Sequence, residues 1–244
     1  MIVTIDGPAG AGKSSAARAL ARRLDFQFLD TGAMYRAVTW WALDRGWPLD
    51  RPDELARLAT QLAVDWQQER VLVNGQDVTA HIRLPAVTDA IHYIADHPRI
   101  RAHLVELQRR WACNRNVVTE GRDQGTVVFP QAECKIFLTA SLDERVRRRL
   151  EQYERQGVAV AREAVQQELL RRDQQDTSRP VGALRQADDA VVVVTDGLSL
   201  DEVVNHLEWL VRSCGERARR EVPHEGSSPL PTSDRDSVSG ETLP

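Results

Sequence analysis

Ile2-Val3-Thr4-Ile5-Asp6-Gly7-Pro8-Ala9-Gly10-Ala11-Gly12-Lys13-Ser14 opens the chain, and its reading decides the fold. The first four residues are β-branched and stop at Asp6-Gly7, the pattern of a short buried strand. The stretch SSAARALARRL at 14–24 sets alanine and leucine on one side and arginine on the other, as a helix requires. Between them, Gly7 to Ser14 fits G-x-x-x-x-G-K-[ST] in the strand-to-helix context the motif needs. Glycines let the loop turn its N–H groups inward around phosphates, and the helix N-terminus adds positive partial charge. Gly7, Pro8, Ala9, Gly10, Ala11, Gly12, Lys13, Ser14 and Ser15 are therefore expected to hold a nucleoside triphosphate. Lys13, from a solvent-facing position, would bridge the outer phosphates, and the Ser14 hydroxyl would ligate Mg²⁺. Lys13 and Lys135 are the only lysines among 32 basic residues, so a lysine at this place is informative.

Working outward, apolar runs at 26–29, 116–121, 135–139 and 190–194 read as further strands. Helical patterns cover 14–24, 33–43, 53–62, 85–111 with a break at Pro98, 142–156, 161–173 and 200–212. Ser199 is the expected N-cap of the last helix. The segments 62–67 and 70–75 alternate and carry turn signals, as in a small antiparallel patch. Strands separated by helices predict an α/β fold: a P-loop parallel sheet flanked by helices, with right-handed crossovers. From about Gly215 the chain turns rich in Pro, Ser, Gly and acids, and 215–244 is expected to be a disordered tail.

Composition narrows the function classes. With 244 residues, 42% hydrophobic and 28% charged, the chain suits one large domain with inserts, at roughly 150 residues per domain. A formal charge of −4 and a pI near 5.9 advertise neither a nucleic-acid partner nor a membrane surface. Cys113, Cys134 and Cys214 form no CxxC pair, so zinc and disulfide frameworks are not indicated. No apolar run approaches the ~18 residues of a membrane span, and the first residues lack a basic-then-apolar leader pattern. The expectation is a cytoplasmic protein.

Neither D-x-x-G nor N-K-x-D occurs, which argues against a GTPase and leaves a small kinase. Three clusters suit a second, anionic ligand. Leu29 to Arg36 follows the second strand and opens a helix, joining a hydroxyl, a helix N-terminus and an arginine. Thr119-Glu120-Gly121-Arg122-Asp123 lies at the carboxyl end of a buried strand, where ligands bind open α/β sheets. Arg171-Arg172-Asp173 through Arg179-Pro180 closes the charged helical hairpin.

Together these stretches resemble the bacterial cytidylate (CMP) kinases of the nucleoside monophosphate kinase family. The resemblance rests on TIDGPAGAGKS at 4–14, LDTGAMYR at 29–36, EGRDQGTVVFPQAECKIFLTAS at 120–141 with ERVRRR after it, and RRDQQDTSRP at 171–180. The segment 62–83, with VLVNGQDVT, resembles the acceptor-binding insert of the long bacterial form. The resemblance implies one kinase domain at 1–214, with an acceptor-binding insert at about 33–105 and a helical lid at about 142–182. It implies transfer of the γ-phosphoryl group of ATP to CMP or dCMP with Mg²⁺, by a monomer. It also implies roles. Arg36, Arg122 and Arg179 would grip the acceptor phosphate, with Thr31 beside it. Arg101 and Asp123 would read the cytosine edge, and Asp176 the ribose hydroxyls. Glu120 would orient Mg²⁺ through water. Arg172 and Arg179, with Lys13 and Arg122, would meet the transferring group. Two positions depart from the family pattern: His92 stands at an expected serine, and Gln124 follows GRD. Alternatives are another small-molecule P-loop kinase, of UMP/CMP or shikimate type, and an NTP-binding regulatory ATPase.

Overall fold

The computed structural model of the chain describes residues 1–67 and 70–221, with side chains to residue 216. Strand β1 (Ile2–Asp6) is the middle of a parallel sheet with β2 (Gln27–Asp30), β6 (Val117–Gly121), β7 (Cys134–Thr139) and β8 (Val191–Val194). The order across the sheet is β2-β6-β1-β7-β8, and β1 sets Ile5 opposite both Glu120 and Ile136. A strand paired on both sides and covered on both faces has no use for polar alternation, which is why its four β-branched residues run consecutively.

Helix α1 (Lys13–Leu24) lies on one face with α8 (Leu200–Glu221). Ala16, Ala17, Leu20 and Ala21 are its buried stripe, packed with Val3, Ile5, Val118, Ile136 and Leu207. Leu20 is wholly buried, and such a side chain contributes roughly 2 kcal/mol by leaving water. The small alanines let α1 approach the sheet closely and so place its first turn over the end of β1.

The other face carries α2 (Thr31–Asp44), α3 (Pro52–Ala59), α4 (Pro85–Ala95) and α5 (Pro98–Ala112). Between α3 and α4 lies a three-stranded antiparallel sheet: β3 (Val64–Gln67), β4 (Arg70–Val73) and β5 (Gln76–Asp77). Asn74 and Gly75, at φ 50° and 81°, make its tight turn between β4 and β5, the primed type an Asn-Gly pair favours. Its inward residues Val64, Trp66, Val71 and Val73 join Trp40, Trp41 and Leu104 in one core with the helices. Helices α6 (Leu142–Arg155) and α7 (Arg162–Ser178) form a helical hairpin, whose Val146, Val165 and Leu169 pack on Ala9 of the phosphate loop.

Several boundaries differ from expectation, for local reasons. Helix α2 starts at Thr31 rather than 33 because Asp30 caps it, its carboxylate accepting the Ala33 N–H at 2.8 Å. Helix α7 runs past 173 to Ser178. It stops there because Arg179 precedes Pro180 and takes extended backbone, φ −55° and ψ 134°. Ser199 does cap α8: its N–H donates to Glu202 at 2.9 Å, and its hydroxyl accepts the Glu202 N–H at 3.3 Å, a capping box. That helix continues to Glu221 rather than 212. Residues 215–221, expected in the tail, are thus helical, and the rest of the expected tail lies outside the described residues.

Gly7 shows why the loop needs its first glycine. A Cβ there would stand 2.0 Å from the carbonyl oxygen of Leu138 on β7, at φ 151°. Only a residue without a side chain lets the chain leave β1 against its neighbour.

Candidate active site

The phosphate loop, strands β6 and β7, helices α2, α4 and α5, and the helical hairpin enclose a cavity of about 1340 Å³. Lys13 corrects one expectation. It does not face solvent: it is 5% exposed, and its Nζ donates to the Pro8 carbonyl at 2.7 Å. Burial lowers its pKa to about 7, helped by the Arg122 charge and opposed by Glu120, Asp176 and Asp6. An anion arriving there restores the charge. Binding of a nucleoside triphosphate at pH 8 should therefore take up close to one proton. The check is calorimetry in buffers of different ionisation heat. A binding enthalpy independent of buffer would mean that Lys13 is already charged in the empty protein.

Ser14 donates its hydroxyl to Glu120 Oε1 at 2.8 Å. These two oxygens, at the mouth of the phosphate loop, are the hard ligands Mg²⁺ prefers beside phosphate and water. Among the described residues no three His, Cys, Asp or Glu cluster as a protein cage would need. The hydroxyl of Thr31 is not free in the cavity. It is buried and donates to the Glu120 carbonyl at 2.7 Å, tying α2 to the end of β6.

Arginines converge on the remaining wall. Arg122 Nε donates to Asp176 Oδ2 at 2.5 Å, and Arg179 pairs with Asp176 Oδ1 at 2.8 Å and with Asp96 at 2.8 Å. Burial alone would raise the Asp176 pKa; Arg122 and Arg179 overcome it and hold the carboxyl below the usual range. Arg36 and Arg172 line the same cavity. Burial lowers the pKa of each, and for Arg172 the charges of Arg122 and Arg36 add to that. Like charges pressed together in a partly desolvated pocket are stabilised by an anion between them.

Arg101 and Asp123 face each other as a buried ion pair. Arg101, 3% exposed, also donates to the Ala95 carbonyl at 3.1 Å and lies 5.4 Å over the Tyr35 ring. Its Nε is buried without a partner, an unmet donor beside the cavity. Burial raises the Asp123 pKa, against the pull of Arg101 and Arg179. His92 is exposed at the cavity rim, bonded through Nδ1 to the Asp89 carbonyl at 2.8 Å. Gln124 faces inward instead, accepting the Thr119 hydroxyl at 3.0 Å.

Three side chains to which the sequence reading gave no role help shape the site. Asp6, buried at the end of β1, accepts the N–H groups of Gln124 and Gly125 at 2.9 and 2.8 Å. It thereby fixes the π-helical turn Gln124–Val128 that follows Asp123. Burial, opposed by those bonds, raises its pKa to about 6. Arg145 donates to the Ala9 carbonyl at 3.1 Å and Arg148 to the Ala11 carbonyl at 3.2 Å, so α6 is tied to the phosphate loop. Their i, i+3 spacing on one helical face was the available signal.

Residues 3–213 match the family described as cytidylate kinase. The cytidylate kinase of Rhodopirellula baltica is 53% identical over 214 residues, covering 88% of this chain and 93% of that protein. A bifunctional pantoate ligase/cytidylate kinase of a Synechococcus species is 44% identical, covering 89% of this chain; the chain spans only 41% of that protein's length. Among solved structures, an uncharacterised protein of Eubacterium ventriosum shares the fold, with a TM-score of 0.50, 12% identity, and coverage of 87% of this chain and 98% of that one.

Proposed function

The chain belongs to the cytidylate kinase family, and from that premise we propose how its own residues transfer the γ-phosphoryl group of ATP to CMP. The enzyme is an ATP-dependent phosphotransferase whose products are ADP and CDP. One observation carries the assignment of residues: Lys13, Arg36, Arg122, Arg172 and Arg179 all line a single cavity. Two polyanions must be brought together in line, and fixed cations are what that requires.

In this reading the backbone of Gly7 to Ser15 and the Lys13 ammonium hold the phosphates of ATP. The acceptor phosphate takes Arg36, Arg122 and Arg179. The last two sit on opposite oxygens of Asp176, so the carboxylate keeps them in place until the phosphate arrives. Asp176 is then free to accept from the ribose hydroxyls. Thr31 serves the acceptor site through the end of β6. Arg172 and Arg179, both from the hairpin segment, neutralise charge on the transferring group when the hairpin closes. Closure also excludes water, the competing acceptor. No general base is invoked, because the attacking oxygen is already anionic.

Ser14 directly, and Glu120 through water, would hold Mg²⁺, giving up their mutual hydrogen bond. The ion supplies charge neutralisation on the β- and γ-phosphates. We extend the acceptor to dCMP, and take the enzyme to be a cytoplasmic monomer with every site residue on one chain. Among the described residues, no helix is long and apolar enough to cross a membrane.

Arg179→Ala tests the division of the cavity. It should raise KM for CMP by roughly 10- to 100-fold, as for loss of a charged hydrogen bond. KM for ATP should stay within about threefold. An equal rise for both nucleotides would contradict the division.

A further inference from the structure

The chain leaves α7 and returns toward the sheet through Val181-Gly182-Ala183-Leu184, anchored where the Leu184 N–H donates to the Asp176 carbonyl at 2.8 Å. Gly182 lies in the left-handed region, at φ +68°. A Cβ there would stand 1.9 Å from Arg101 Nη2, 2.3 Å from Arg101 Cζ and 2.6 Å from Asp123 Oδ2. The far end of an arginine usually gives way to such an intrusion. Here it has little freedom to do so, because Arg101 is buried, bonded to Asp123 and to the Ala95 carbonyl, and set over Tyr35. The intruding atom would meet both members of the ion pair at once, and moving Arg101 away breaks the pair. The bare main chain at 182 occupies the space beside these two side chains that any other residue would need.

We propose that Gly182 is a positioning residue for base recognition, acting through Arg101 and Asp123 to set the preference for CMP over UMP. This rests on the reading of Arg101 and Asp123 as the groups that meet the cytosine edge. It also links base choice to the hairpin, since the segment that closes α7 packs directly on the pair that reads the base.

The test measures kcat and KM for ATP, CMP and UMP, with melting temperature, in Gly182→Ala, Gly157→Ala, Asp123→Asn, Arg101→Lys and the double variant Arg101→Lys/Gly182→Ala. Gly157 has the same left-handed backbone, φ +72°, with nothing within 4 Å of an added Cβ. It therefore reports backbone strain without collision. Gly182→Ala should raise KM for CMP by about tenfold or more and lower the CMP-to-UMP ratio of kcat/KM by a similar factor, with KM for ATP within about twofold. Gly157→Ala should leave all of these within about twofold. Lysine lacks Nη2, the atom nearest the new methyl, and its single Nζ, at the place of Cζ, can turn aside on a side chain no longer held as a planar fork. Adding Gly182→Ala to Arg101→Lys should therefore change the ratio by less than about threefold, the non-additivity of residues in contact. If Asp123→Asn shifts the ratio and a folded Gly182→Ala does not, the role of Gly182 is overturned while the base reading stands. If neither shifts it, both fall. If Gly182→Ala alone does not fold, recovery of a folded double variant supports the collision with Arg101. A double variant that also fails to fold overturns it.

Discussion

Lys13→Ala should lower kcat by on the order of 10²-fold or more, the loss expected when a principal stabiliser of developing charge is removed. The fold should survive. Lys13 is buried, but its ammonium is poorly solvated there, with a pKa lowered to about 7 chiefly by that burial. Its ammonium donates to the Pro8 carbonyl, at the edge of the phosphate loop. Truncation removes an amine that burial holds against its charged form rather than a packing element, so the melting temperature should be unchanged or slightly higher. The measurement is kcat at saturating ATP and CMP, with thermal melting of the same sample. A well-folded variant turning over at a near-normal rate would contradict the role given to Lys13.

Base choice carries the other large effect. Cytosine presents an exocyclic amino donor beside a ring-nitrogen acceptor, whereas uracil presents a carbonyl beside a ring N–H. In the proposed reading, an ionised Asp123 would accept from the cytosine amino group and repel the uracil carbonyl. Arg101, whose Nε is buried without a partner, would donate to cytosine's acceptors. A site built on such hydrogen bonds rejects the mismatched base by up to ~10⁴-fold, because its buried polar groups are then left unpaired. The ratio of kcat/KM for CMP over UMP should therefore be large. It should narrow by about tenfold or more in Asp123→Asn, whose amide can donate to a carbonyl. The asparagine also weakens the partner of Arg101, so turnover of CMP should fall as well. An unchanged ratio in a folded Asp123→Asn would remove Asp123 from base recognition.

The parts of the fold legible beforehand were those decided by neighbours in sequence. The β-branched run before Gly7, the break at Pro98, the Asn74-Gly75 turn and the Ser199 cap each follow from local chemistry, and each is where it was expected. Long-range pairing was not legible. The acceptors on Asp6 serve N–H groups at 124 and 125, far away in sequence. The Arg145 and Arg148 bonds to loop carbonyls join a helix to a turn more than 130 residues earlier. Burial of Lys13 depends on residues that β6 and α7 bring beside it, so a motif that names the lysine does not reveal its solvation. Gly215 looked like the point where helix gives way to tail. It lies inside α8 instead, with an added Cβ falling 4.0 Å from Met1 Sδ, so tertiary context outweighs the helix propensity of glycine here.

The site residues divided in the same way. Arg122, Asp176 and Arg179 come from two motifs more than fifty residues apart, yet they meet in one network. Thr31 and Gln124 belong to the right segments but direct their polar groups into the protein, toward Glu120 and Thr119. A residue type at a motif position states what the side chain can do. Where its hydrogen bonds go is decided by the partners that folding supplies.

The most direct measurement is release of ADP from ATP by the full chain with CMP, dCMP, UMP, AMP and shikimate offered separately as acceptors, against a control without acceptor. The expected result is rapid release with CMP and dCMP, far slower release with UMP and AMP, none above control with shikimate, and little hydrolysis without an acceptor. Equal release with UMP and CMP, or hydrolysis indifferent to any acceptor, would contradict a cavity built to set CMP in line with ATP.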